Sequence, residues 1–302
     1  MNVYVCEPLH PAALELLNRR AVLVDDPALA EGVVTRNFAV DRAFMDRCPH
    51  LRAVGVHGRG LDGVDVAEAR RRGVRVVYTP HENARSVAEH IAALLLALAR
   101  KIPRADRLAR AGAARTADPD LCGVELYGKT LGLAGAGEIG RAAGQILRAG
   151  FGMKLRVWSA HMTPERAEAL GMEYCPGLEE LFRTCDAVTV GLPLTEETRD
   201  LIDERVLNGA KPGLLLVNTS RGGVVDENAL YRALTDGPLG GAACDVFRKE
   251  PPGPENPLLG LDNFIATPHM AAATDEALRR TGLCVVRQLL DVLEGKPAEY
   301  EV

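Results

Sequence analysis

The sequence predicts an α/β protein in which one helix-covered parallel sheet is inserted into another. Three features predict it. Short β-branched runs alternate with stretches of helical period almost from end to end, the pattern of βαβ units. The alternation divides into two series around a long apolar helix, and the second series opens on a glycine-rich turn between a strand and a helix.

The first series has candidate strands at 3–6, 21–24, 32–35, 53–56 and 74–77, with helices near 10–20, 41–47 and 65–72 between them. Such a series makes a small flavodoxin-like sheet. Residues 86–100 follow as a helix with Val87, Ile91, Leu94, Leu95 and Leu98 on one face and Ala88, Ala92 and Leu96 widening it. A helix this apolar is buried on most sides, within its own chain or between two subunits. The polar, small-residue stretch 112–119 reads as a linker. Strands at 130–134, 154–158, 187–191, 214–218, 241–245 and 263–266 then supply the six strands of a dinucleotide-binding sheet. A last helix over 275–294 stops at Gly295, and the closing Tyr-Glu-Val is expected to return to the first domain. The expected domains are 1–97 with 276–302, and 98–275.

Composition narrows the partners. The 302 residues are 47% hydrophobic and 25% charged, enough for two ordinary cores. A net charge of −5, with arginines dispersed among acids, offers no basic field for nucleic acid. The longest apolar run, Ile91 to Ala99, falls well short of the ~20 residues that cross a bilayer. The N-terminus opens on a strand-like run without the charged and apolar regions of an export signal, so a cytoplasmic protein is expected. Seven cysteines with no CxxC pair read as small buried hydrophobes in a reducing compartment, and no metal site is expected.

The glycine turn is Gly135-Ala136-Gly137-Glu138-Ile139-Gly140, between a buried strand and an alanine-rich helix. Gly135 makes the tight turn, Gly137 lets a pyrophosphate approach the backbone, and Gly140 lets helix pack closely on strand. The free N–H groups of the helix end would hold the phosphates. In an NAD site the next strand ends in an acid for the ribose hydroxyl, but here it ends in Ser159. Two readings stay open: Ser159 hydrogen-bonds the ribose of NAD, or it admits the 2′-phosphate of NADP with help from His161 or Arg166.

Three later strand ends each present one ionisable residue, and ligands sit at the ends of parallel strands. Arg221 leaves the first beside Gly222 and Gly223, Glu250 stands before Pro251-Pro252 after the second, and His269 follows Pro268 after the third. Reduction of a 2-oxo acid needs such groups. Negative charge grows on the carbonyl oxygen as hydride arrives at carbon, and it must meet a proton donor and a fixed cation. His269 would give the proton, Arg221 would fork onto the carboxylate and the carbonyl oxygen, and Glu250 would orient His269 and favour imidazolium.

With these segments the chain resembles the D-isomer-specific 2-hydroxyacid dehydrogenases, over nearly its whole length. The likeness includes Gly128-Lys129-Thr130 before the glycine turn, Thr79-Pro80 through Ser86-Val87-Ala88-Glu89-His90, and Leu192-Pro193-Leu194-Thr195. The resemblance implies a Rossmann domain inserted into a substrate domain made from both chain ends, a homodimer, and D-2-hydroxy acids or 2-oxo acids as substrates. It implies catalysis by Arg221, Glu250 and His269, and NAD or NADP held at Gly135, Gly137, Glu138, Ile139, Gly140, Ser159, Pro193, Thr219 and Asp245, the last serving the carboxamide. Substrate binding would fall to Gly58, Arg59, Gly60 and Arg221. Transcriptional corepressors resembling these enzymes keep the same three residues, so a cofactor-sensing role is the alternative, with a lyase or epimerase behind it.

The chain departs from the family at Arg59, where relatives usually carry a small or apolar residue, and at Gly63, where asparagine is common. An arginine beside a carboxylate-binding loop predicts a substrate with a second anionic or polar group; the alternative turns Arg59 outward to a surface acid. Phosphoglycerate dehydrogenases often have an arginine at the position of Val56 and a C-terminal regulatory domain; this chain has neither, which makes that activity the less expected one. Glu250, where formate dehydrogenases use glutamine, argues against formate.

Overall fold

The computed structural model describes residues 1–113 and 119–302, so the expected linker at 112–119 falls mostly outside the described residues. The chain divides into two compact units, residues 1–83 with 272–302, and residues 84–271.

The first unit holds strands β1 (Asn2–Val5), β2 (Val22–Leu23), β3 (Gly32–Thr35), β4 (Ala53–Val56) and β5 (Arg75–Val77), all parallel in the order β2-β1-β3-β4-β5. This is the flavodoxin-like order expected. Helices α1 (Pro11–Arg20), α2 (Arg42–Asp46) and α3 (Val66–Arg71) link the strands. Each begins on a residue whose side chain caps it: His10, Asp41 and Asp65 accept from the amides of Ala12, Phe44 and Glu68.

In the second unit α4 (Ala84–Ala99) and α5 (Ile102–Arg110) precede strands β6 (Thr130–Ala134), β7 (Lys154–Trp158), β8 (Glu173–Tyr174), β9 (Ala187–Val190), β10 (Leu215–Asn218), β11 (Gly241–Cys244) and β12 (Phe264–Ala266). Between them run α6 (Glu138–Phe151), α7 (Pro164–Ala169), α8 (Leu178–Thr184), α9 (Glu204–Asn208) and α10 (Glu227–Thr235). The sheet is parallel throughout, in the order β12-β11-β10-β9-β6-β7-β8. It has seven strands rather than six, because β8 is only two residues long and carries no readable alternation. Helix α5 was also not expected; it is nine residues long, none of them buried, and its apolar positions, Ile102, Ala105 and Leu108, stand among arginines.

The chain then returns to the first unit through α11 (Asp275–Leu293), capped by Thr274 and packed on α1 and the first sheet. Val77 and Glu301 form an antiparallel bridge, so the tail does rejoin that sheet. Helix α4 packs on α6 and on strands β10, β11 and β12, which places it with the second unit. The units therefore join at 83/84 and 271/272, where the sequence expectation had 97/98 and 275/276. Among the described residues no helix is long and apolar enough to cross a membrane.

Candidate active site

Strand register brings the site to one edge. Trp158, Ala134, Val190, Asn218, Cys244 and Ala266 are successive Cα partners across the sheet, so six parallel strands end level with one another. The turns that follow them leave from the same edge, and the strand order reverses between β6 and β9, the crevice where such sheets take nucleotides.

The β6–α6 turn is built by leaving atoms out. Gly135 has φ +108°, and a Cβ there would sit 2.7 Å from the carbonyl oxygen of Gly191, so only glycine fits. Gly137 is the N-cap of the 14-residue helix α6 without a side-chain cap, and nothing lies within 4 Å of where its Cβ would be. Uncapped amides facing open space suit a pyrophosphate, and buried Gly140 keeps the helix against the turn. Glu138 and Ile139 are half-buried in the first helical turn. Ser159 is half-buried at the end of β7, where its carbonyl accepts from Met162, while Arg166 donates to the carbonyl of His161 at 2.9 Å. Pro193 is exposed after β9 with its carbonyl bound by the Thr198 hydroxyl at 2.6 Å, and Thr219 is half-buried after β10.

The β10–β12 side is built by adding contacts. Arg221 ends a turn shaped by Asn218, whose side-chain oxygen accepts from the amide and hydroxyl of Ser220 and whose amide group donates to the carbonyl of Arg221 at 3.1 Å. Its guanidinium donates to the carbonyl of Ser220 at 2.7 Å. Next comes Gly222, where a Cβ would lie 1.9 Å from the backbone carbon of Phe247. That glycine lets the Arg221 turn press directly on the segment leading to Glu250.

Glu250 Oε1 accepts from the amide of Phe247 at 3.0 Å, and Oε2 lies 2.7 Å from His269 Nδ1. Burial alone would raise the Glu250 pKa, but the His269 hydrogen bond, the Phe247 amide, and the charges of His269 and Arg221 outweigh it and hold the carboxyl below its usual value. With Nδ1 committed to Glu250, Nε2 is the ring nitrogen left for a substrate, and the imidazole is partly exposed. The structure thus brings Glu250 and His269 into contact, with Arg221 near enough to act on Glu250 electrostatically.

Other contacts of the site went unnoticed in the sequence. Glu227, the first residue of α10, accepts from the amide of Arg248 at 2.6 Å and from the Asn256 side chain at 3.0 Å, bracing both ends of the loop that carries Glu250. Arg248 pairs with Asp200, which itself has a left-handed backbone at φ +51°. Asp245, expected at the carboxamide, is 1% exposed, and its carboxylate accepts from Thr267, Met270 and Ala271. No sequence spacing signals these contacts; a buried acid beside a strand end was the only hint.

In the first unit Gly58 has φ +152° with open space around its Cβ position, and the loop through Gly60 runs on from buried His57. Arg59 is exposed, and no surface acid pairs with it among the described residues. Of the seven cysteines, Cys48, Cys175, Cys185 and Cys244 are buried, and burial pushes the Cys185 thiol up to about 12, as expected of inert packing groups. Cys122 is exposed, contrary to that expectation for the set. No cluster of potential metal ligands occurs among the described residues.

Comparison with known proteins places this geometry. Residues 92–271 match the family model described as D-isomer specific 2-hydroxyacid dehydrogenase, NAD binding domain. The chain is 36% identical to a D-3-phosphoglycerate dehydrogenase of Archaeoglobus fulgidus over its full length, but spans 59% of that relative. It is 39% identical to a glyoxylate reductase of Korarchaeum cryptofilum, covering 85% of this chain and 77% of the relative. A Thermus thermophilus crystal structure superposes with a TM-score of 0.92 at 34% identity, covering all of both chains. An NADPH-dependent glyoxylate/hydroxypyruvate reductase of Sinorhizobium meliloti, solved with NADP and malonate, does so at 0.85 and 32%, covering 100% of this chain and 96% of that one. The chain belongs to the D-isomer specific 2-hydroxyacid dehydrogenase family.

Proposed function

We propose that the protein interconverts a small 2-oxo acid and the D-2-hydroxy acid with NAD or NADP as hydride carrier. The observation that carries the reading is the 2.7 Å contact of His269 Nδ1 with Glu250 at a strand edge that also bears Arg221 and the open glycine turn. When bound, the nicotinamide supplies or accepts the hydride. Arg221 grips the carboxylate and carbonyl oxygen of the 2-oxo acid with its planar fork, which polarises the carbonyl. His269 Nε2 gives its proton to that oxygen as hydride reaches carbon, leaving a neutral imidazole; the reverse reaction returns the proton. Glu250 stays a carboxylate throughout and steadies the imidazolium.

Amides at Gly58 and Gly60 hold the substrate carboxylate, and Arg59 reads a second anionic group. Two facts support the latter: Arg59 pairs with no acid among the described residues, and relatives include phosphoglycerate dehydrogenases, whose named substrate carries a phosphate. Ser159 in place of an acid leaves both cofactors admissible. The enzyme acts as a cytoplasmic homodimer joined through the second unit, a reading supported by the exposed Ile102, Val124 and Tyr127 beside the apolar wall of Leu96, Leu126 and Phe151. Light scattering on a size-exclusion column gives twice the chain mass if so.

The deciding experiment is steady-state reduction of glyoxylate, hydroxypyruvate, pyruvate, oxaloacetate, phenylpyruvate and 3-phosphohydroxypyruvate, with NADH and NADPH in parallel. Turnover with at least one pair is expected, and Arg59→Ala should lower kcat/KM for the dianionic acids but not for pyruvate. Cofactor binding without turnover on any acid would instead select the sensing role.

A further inference from the structure

We propose that Asp245 is a positioning residue for His269: a buried carboxylate that holds the 267–271 turn in the shape that sets the imidazole on Glu250. A carboxylate at 1% exposure is costly unless donors surround it. Among the described residues, the hydrogen-bond donors to this carboxylate all come from that one turn. The Thr267 hydroxyl reaches Oδ1 at 2.5 Å, the amide of Met270 reaches Oδ1 at 2.9 Å, and the amide of Ala271 reaches Oδ2 at 2.9 Å. The Asp245 carbonyl also accepts from the amide of His269 at 2.8 Å, so this one residue binds four groups in a five-residue turn.

The histidine itself shows the consequence. Its φ is +51°, a left-handed backbone that a residue with a Cβ adopts at a cost. A reversal of hand is what lets the two amides that follow converge on one anion, so the strain at His269 and the charge at Asp245 belong to a single device. Helix α4 anchors it from behind. His90 Nε2 lies 3.2 Å from Thr267 Oγ1 and 3.7 Å from Asp245 Oδ1; since that hydroxyl gives its hydrogen to Asp245, it accepts from His90. At the far end of the same turn stands the 2.7 Å contact between His269 and Glu250, which any relaxation of the turn would move.

Asp245→Asn keeps the size but removes the charge and turns a donor toward one of the turn's own donors. The contact of Nδ1–H with Glu250 should give a downfield proton resonance, to be assigned by its loss in Glu250→Gln. In Asp245→Asn that resonance should vanish and kcat should fall about a hundredfold, the scale of a displaced catalytic group, whether or not the cofactor dissociation constant also rises. That constant is read from the fluorescence of Trp158, the single tryptophan. Thr267→Val removes one donor without touching the carboxylate, and should cost about tenfold in kcat, the size of one hydrogen bond; if Asp245→Asn fails to fold, this variant carries the test with the same readouts. A resonance and kcat that survive both changes overturn the proposal, and so does weakened cofactor binding with the resonance intact, which would assign Asp245 to the cofactor alone. Only the kinetic arm rests on the proposed reaction: a parent that reduces no 2-oxo acid sinks that reaction and leaves the resonance still readable.

Discussion

Two regions of one sheet edge achieve their shape by opposite means. At β6–α6 the chain omits side chains: Gly135 and Gly137 leave a helix end uncapped over open space. At β10–β12 it crowds them in, with Asn218, Asp245, Glu227 and Glu250 each accepting hydrogen bonds that fix a turn. A site for a ligand's phosphates must stay empty until the ligand arrives, whereas groups that move a proton must already be in place. At Gly137 the first kind of site tolerates a methyl group structurally and fails in binding; the second kind fails in folding or in rate.

Substitutions can break that contrast. Gly222→Ala meets the Phe247 backbone and should lower stability by about 3 kcal/mol, seen as an earlier thermal melt together with lost turnover. Arg221→Lys keeps the charge but loses the planar fork, and should cost about a hundredfold in kcat/KM with an unchanged melt. Gly137→Ala meets nothing within 4 Å, so stability should stay within about 0.5 kcal/mol, while cofactor affinity read from Trp158 drops about tenfold. Equal melts for Gly222→Ala and Gly137→Ala would remove the contrast.

The smallest effect is in pH. The Glu250 carboxyl lies below its usual value when folded, so its contribution to stability is present above the unfolded value of about 4.3 and is lost as pH falls through the depressed one. Partial exposure weakens the contribution. The difference in urea midpoint between the parent and Glu250→Gln should therefore be measurable at neutral pH and disappear in strong acid.

What the sequence displayed follows the same division. The glycine turn was legible because its parts lie within six residues and act through what they lack. Most strands showed as β-branched runs, and the level ends of β10, β11 and β12 made Arg221, Glu250 and His269 a set. The brace by Glu227 and the clamp by Asp245 were not legible, because each joins residues 21 to 29 positions apart through hydrogen bonds that no spacing rule encodes. Two short elements escaped for local reasons: β8 has two residues, and α5 buries none. The join at Ala84 was missed because an all-apolar helix does not say which sheet it covers.

Proton transfer by His269 is the step on which the proposed reaction turns. Single-turnover oxidation of bound NADH or NADPH by the best 2-oxo acid, compared between the parent and His269→Gln, tests it most directly. A rate about a thousandfold lower is expected in the variant, with cofactor affinity by Trp158 fluorescence unchanged. Equal rates in the two proteins would contradict it.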